Sequence, residues 1–248
     1  MKPLVARLGE LAAADERGVL LTFIDGDDAG TKLLWLESEG GDQVSAELDA
    51  AAREVVRSGR NRLLELAGTR VFAEVYGPPP RLFIYGAVDT AEALCRAAKL
   101  IGWKVIVADA RPMFATKARI PSADELVVAW PDEAFAQVAP DHQTAVLVLT
   151  HEDKFDRPAL MGALQTEAFY IGALGSRRNQ ERRRGRLLEE GAEEAALARL
   201  SGPCGLDVGA ETQDETAISI IAEILAVRAD RSGGRLRDAE QRIHAQVD

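Results

Sequence analysis

From residue 81 onward the chain repeats one short rhythm. The apolar runs RLFIYG, WKVIVADAR, DELVVAW, TAVLVLTH and AFYIGALG are bounded by glycine or polar residues, and stretches with helical spacing follow several of them. A strand buried on both faces shows no alternation of apolar and polar residues, and parallel neighbours need a crossover between them. The rhythm therefore predicts an α/β domain, a Rossmann-like and mostly parallel sheet with helices on both faces. Such sheets bind ligands beyond the carboxyl ends of their strands. The residues just after each run are the first candidates for a site.

The preceding residues follow a different pattern. MKPLVARLGELAAADERG reads as an amphipathic helix, and GVLLTFIDG and KLLWLESEG as two strands joined by the turn DGDDAGT. SAELDAAAREVVRSG spaces Leu48, Ala52, Val55 and Val56 along one helical face, and NRLLELAG with RVFAEVY completes a small α+β unit. Three consecutive prolines, Pro78 to Pro80, suit neither a helix nor a central strand and mark a boundary. The expected organisation is a smaller N-terminal α+β domain over 1–77, a Rossmann-like domain over 81–229, and a loosely ordered polar tail over 230–248.

Composition excludes several functions. The 248 residues carry a formal net charge of -10, with 28% charged and 47% hydrophobic residues, a globular balance. Net acidity argues against nucleic acid as the general partner, because phosphate backbones require a basic face. Two cysteines, Cys95 and Cys204, are too few for a disulfide framework. No apolar run reaches the length of a membrane span, and the N-terminus lacks the pattern of a signal peptide. The expectation is a cytoplasmic protein with no membrane partner.

The turn after the first run, YGAVDTAEAL, keeps Gly86 and Ala91 of a dinucleotide fingerprint but has Val88 in the middle. Asp89 there reads as a helix N-cap, and it sets negative charge where a pyrophosphate would rest. Asp109, closing the second run, stands where a ribose hydroxyl is usually held, and Arg111 is placed to accept a phosphate. These residues allow an NAD(P)-dependent oxidoreductase as one reading.

LTHEDKFD follows the fourth run. His151, Asp153 and Asp156 read as ligand contacts or a general-base pair; alternatively an aspartate caps the next helix, with Pro158 in its first turn. With only three histidines in the chain, no metal site is assigned.

After the fifth run comes GALGSRRNQERRR. Ser176 is placed to cap a helix and Gly175 to let main chain approach a ligand closely. Arg177 and Arg178 fall in the first turn, where each cation opposes the macrodipole by roughly 0.3–1 kcal/mol. An anion bound there reverses that penalty, so the four residues read as an anion seat. Arg182, Arg183, Arg184 and Arg186 read as a solvated face paired with Glu181, Glu189 and Glu190. In GPCGLDVGAETQDETAISIIAEI, Thr212 and Glu215 form a capping box. Gly205 and Gly209 flank Asp207, a backbone held close to a ligand or a neighbouring loop. Cys204 reads as a buried apolar residue or a sulfur-handling thiol.

Taken together, PPPRLFIYGAVDTAEAL, VIVADARPMFAT, ADELVVAWPDE, VLTHEDKFDRPAL, YIGALGSRR and GPCGLDVGAETQDETAISIIAEILA resemble successive motifs of the XdhC/CoxI family, over roughly Glu74 to Arg228. The resemblance implies an accessory protein, a chaperone rather than an enzyme. Such a protein binds molybdenum cofactor, supports its sulfuration with a partner such as a cysteine desulfurase, and hands it to the apoenzyme of a molybdenum hydroxylase, xanthine dehydrogenase or carbon monoxide dehydrogenase. A homodimer is expected. The cofactor's phosphate then fits the seat at Gly175 to Arg178, with pterin contacts from His151, Asp153 and Asp207. The chain departs from the family pattern at Val88 and Asp89, where a Gly-x-Gly-His turn is common, and in having no cysteine before Cys95. A third reading is an interaction domain that docks on a hydroxylase without a ligand.

Overall fold

A computed structural model describes residues 4–40 and 44–240. Met1 to Pro3 of the opening helix and 241–248 of the expected tail lie outside the described residues. The chain divides into two compact units, one comprising the residues up to Pro78 with those from Arg235, the other Pro79–Gly234.

The first unit contains α1 (Leu4–Ala13), β1 (Gly18–Phe23), β2 (Lys32–Leu36), α2 (Ala46–Ser58), β3 (Arg62–Leu66) and β4 (Thr69–Tyr76). Its strands form an antiparallel sheet in the order β2-β1-β4-β3. The predicted stripe Leu48, Ala52, Val55 and Val56 of α2 packs with Val19, Leu21, Trp35, Val71 and Ala73, as an apolar face at helical spacing must. Ser45 caps α2 by accepting from the Leu48 amide, and Gly59 ends it in the left-handed conformation.

The second unit runs β5 (Arg81–Tyr85), α3 (Asp89–Leu100), β6 (Lys104–Ala108), β7 (Glu125–Val127), α4 (Pro131–Val138), β8 (Thr144–Val148), α5 (Asp153–Leu164), β9 (Tyr170–Ala173), α6 (Arg177–Glu189), α7 (Glu194–Leu197), β10 (Leu200–Ser201) and α8 (Gln213–Arg228). All the strand pairings are parallel, in the order β10-β9-β8-β5-β6-β7. The chain starts in the middle of the sheet, winds to one edge, returns, and winds to the other. β5 and β8 are therefore neighbours, and their carboxyl ends flank the topological switch point.

Both faces of the sheet are covered, which is why its strands read as unbroken apolar runs. Leu82 and Ile84 of β5 face a cluster that includes Leu94 and Cys95 of α3 and Ile220 and Ile224 of α8. Phe83 and Tyr85 face the opposite cluster, with Phe135 of α4 and Phe155 and Leu160 of α5. Burying one such side chain stabilises the fold by about 1.5–3 kcal/mol. No helix is long and apolar enough to cross a membrane among the described residues.

Two local expectations change. Asp89 is the first residue of α3 rather than its cap; the cap position belongs to Val88, which makes no side-chain bond. Pro158 lies in the second turn of α5, not the first. Its missing N–H leaves the Lys154 carbonyl without its helical donor, on a part of the helix where both residues are exposed.

Candidate functional site

The switch point is built around Gly86. Its φ is 115°, and its amide donates to the Ala108 carbonyl at 2.7 Å. A Cβ there would come within 2.9 Å of Thr150 Cγ2 and 3.1 Å of the Thr150 amide nitrogen, so only glycine lets β5 and β8 close up.

Beside it, Asp109 is 1% exposed. Its Oδ1 accepts from the Arg111 amide and Nε, each at 2.9 Å, and its Oδ2 from Arg111 Nη2 and the Ala87 amide, each at 2.9 Å. Burial opposes ionisation of this carboxyl, yet the bonds from Arg111 and Ala87 outweigh it and hold the group below the usual carboxylate range. Arg111 in turn reaches Glu152 Oε1 at 2.6 Å and lies 3.9 Å over the Phe114 ring. Read from sequence as contacts for a ribose and a phosphate, Asp109 and Arg111 bind each other here. Two residues of spacing let the guanidinium fold back onto the carboxylate in bidentate fashion. Asp89 pairs with Arg119 at 2.9 Å and keeps negative charge at the start of α3.

The turn after β9 has a different character. Ser176 caps α6 by accepting from the Asn179 amide at 3.3 Å, and Gly175 has a φ of 138°. Arg177 and Arg178 are exposed and make no hydrogen bond or ion pair among the described residues. Of the later arginines, Arg182 and Arg184 are exposed as expected, and Arg183 departs from the solvated face. Arg183 is buried and holds Asp156 through Nε and Nη2 at 2.7 and 2.8 Å, and its Nη1 donates to Gln180 Oε1 at 2.7 Å and the Leu174 carbonyl at 3.1 Å. Arg184 pairs with Glu194, Arg186 with Asp153, and Arg157 with Glu190. The expected partners Glu181 and Glu189 take none of these cations.

Two clefts border α6. One, about 330 Å³, is lined on the helix by Asn179, Arg182, Arg183 and Arg186, and on the other side by His151, Asp153, Asp156 and Arg157. The other, about 460 Å³, is lined by Arg177, Gln180, Glu181 and Arg184 together with Leu197, Leu200, Gly202 and Pro203. Each helical set follows the spacing i, i+3, i+4, i+7, so the clefts lie on opposite faces of α6. Arg178 lines neither. Read from sequence, Arg182 and Arg186 have only a solvated role and Arg157 is not singled out. The i, i+3, i+4, i+7 recurrence in NQERRRGR is the signal for the first two, and nothing local marks the third.

The glycine-rich stretch before α8 divides in two. Gly205, with a φ of 112°, donates its amide to Glu223 Oε2 at 2.6 Å, and a Cβ there would meet Ser219 Oγ at 2.6 Å. Its need for glycine comes from α8. Gly209 has open space around it, and Asp207 is exposed with no partner among the described residues. The Thr212–Glu215 capping box is present. Cys204 is buried, and burial, reinforced by Glu223, pushes its thiol up to about 12. Among the described residues no group of three or more His, Cys, Asp or Glu side chains is arranged to hold a metal.

Residues 82–224 match the family model described as the XdhC Rossmann domain. The chain belongs to the XdhC family. This match runs from β5 into α8 and contains every candidate residue from Gly86 to Gly209. Among XdhC-like relatives, a probable xanthine dehydrogenase subunit of Bacillus subtilis (strain 168) is 32% identical over 160 residues, covering 64% of this chain and 46% of the relative. The molybdenum cofactor insertion chaperone PaoD of Escherichia coli (strain K12) is 29% identical over 153 residues, covering 62% of this chain and 42% of the relative. The matches thus span less than half the length of these relatives. A crystal structure described as a xanthine dehydrogenase from Bacillus halodurans shares the fold, with a TM-score of 0.56 at 21% identity over 92% of this chain and 94% of that one.

Proposed function

We propose that this protein is an accessory factor that binds molybdenum cofactor and delivers it to the apoenzyme of a molybdenum hydroxylase of the xanthine dehydrogenase or carbon monoxide dehydrogenase type. The observation that carries this reading is the unpaired state of Arg177 and Arg178 at the first turn of α6 among the described residues. Two cations at the positive end of a helix oppose the macrodipole unless an anion joins them. They lie just past the carboxyl end of a parallel strand, where ligands of this fold collect. Membership of the XdhC family and the similarity to PaoD, a molybdenum cofactor insertion chaperone, support the choice of ligand.

The residues present fit the phosphate end of such a cofactor. Gly175 opens the main chain beside the Ser176 cap, and the guanidiniums supply charge-assisted donors. Exposed His151 and Asp207 are available for pterin hydrogen bonds. The molybdenum end finds no thiol among the described residues, because Cys95 and Cys204 are both buried. The cofactor supplies its redox chemistry in the client enzyme. This chain's residues bind and orient it. The closed Asp109–Arg111 pair and the carboxylate of Asp89 at the start of α3 count against an NAD(P)-dependent oxidoreductase, since the pyrophosphate would meet negative charge where it needs amides.

The test is the double variant R177A/R178A, purified from a molybdenum-replete host and oxidised to read pterin fluorescence. Retained pterin should fall about tenfold or more, as expected on losing charge-assisted contacts, while binding to the hydroxylase apoenzyme persists. Unchanged retention overturns the proposal.

A further inference from the structure

The cleft between α5 and α6 carries a chemistry of its own. It gathers the guanidiniums of Arg157, Arg182, Arg183 and Arg186 against the carboxylates of Asp153 and Asp156, a formal charge of +2 from four arginines and two aspartates, or +1 once Glu190, the partner of Arg157, is counted. This excess stands in a chain whose net charge is -10. The 12-residue helix α5 begins at its rim, at Asp153, and its positive end adds to the field. At about 330 Å³ the cleft falls in the range of small-molecule sites.

The two carboxylates play different parts. Asp156 is fixed to Arg183 in a pair whose side chains are 7% and 8% exposed. Asp153 and Arg186 also pair, but their side chains are 60% and 42% exposed, so solvent screens the contact and it is weakly held. Unused donors remain. Arg157 Nε is shielded from solvent and has no partner. Arg182 gives one bond, to Asn179 Oδ1 at 2.8 Å, and the Asn179 amide nitrogen has no acceptor among the described residues.

We propose that this cleft binds a phosphate dianion, as a phosphate monoester or as free phosphate, with Arg182 and Arg186 as its main donors and Asp153 as the resident anion it displaces. Arg183 stays on Asp156 and supports the floor. The inference does not rest on the Arg177–Arg178 seat, because Arg177 belongs to the opposite face of α6 and Arg178 lines neither cleft; His151, which lines this cleft and is named above for the pterin, serves as no phosphate donor here.

Titration calorimetry at low ionic strength tests it, using the full chain in the R177A/R178A background so that only this cleft is read. Inorganic phosphate fills one arm and glycerol phosphate the other. One site is expected in at least one arm. Tighter binding of the ester assigns an organic phosphate and equal binding assigns free phosphate, each supporting the site. Adding R182A and R186A should weaken binding about a hundredfold, roughly tenfold for each guanidinium. D153N should tighten it several-fold by removing the competing charge, and this variant also covers the case in which the arginine variants fail to fold. No binding at millimolar concentrations in either arm, binding that survives loss of Arg182 and Arg186, or no tightening in D153N overturns the proposal. Pterin retention, measured separately, reports on the cofactor reading alone.

Discussion

Asp156 and Arg183 tie α5 to α6 through two buried hydrogen bonds of 2.7 and 2.8 Å. Burial pushes the Asp156 carboxyl up, and the Arg183 guanidinium offsets only part of that push. The pair thus contributes little net stability as a unit and a great deal as a constraint, because among the described residues each charge has its ion-pair partner only in the other.

Removing one partner should therefore cost far more than removing both. D156A leaves a buried guanidinium unpaired and is expected to lose about 3–5 kcal/mol. D156L/R183M, which replaces the pair with apolar groups of similar bulk, should recover most of that loss. Urea unfolding of the two variants and the wild type checks the order.

Asp109 gives a pH dependence of definite sign. Its folded pKa lies below the ordinary aspartate value of 3.8, so the unfolded chain holds more protons between the two values. Stability from this group is complete above pH 3.8 and is lost as the pH falls through the folded value. D109N should be less stable than wild type at neutral pH, and the gap should narrow as the solution is acidified below that point. Thermal melts over a series of acidic buffers read the slope.

Cysteine chemistry offers a third check. Both thiols are buried, and burial pushes each up to about 12. Neither Cys95 nor Cys204 is a thiolate at neutral pH, so neither is a ready nucleophile. A disulfide reagent should label neither in the native protein and both after denaturation. Rapid labelling of Cys204 in the folded state would restore the sulfur-handling role for that residue.

Much of this architecture was legible because its signals are local or periodic. The parallel sheet announces itself through runs such as TAVLVLTH, buried on both faces of β8. The Ser176 cap and the Thr212–Glu215 box lie within three residues of the groups they satisfy. β10 escaped notice because two residues, Leu200 and Ser201, make no pattern. Arg183 escaped because an arginine inside RRRGR looks solvated, and its partner Asp156 lies 27 residues away with nothing local to join them. Asp109 and Arg111 show a different limit. An acid and a base at the end of a strand have the same spacing whether they grip a ligand or each other, and only the fold of the loop decides.

The links from Ala87 through Asp109 and Arg111 to Glu152 act as an internal strut across the mouth of the sheet. Its shape is braced by charges the chain carries itself rather than by a guest. For the delivery role proposed above, such bracing would let release proceed without refolding and without exposing raw core.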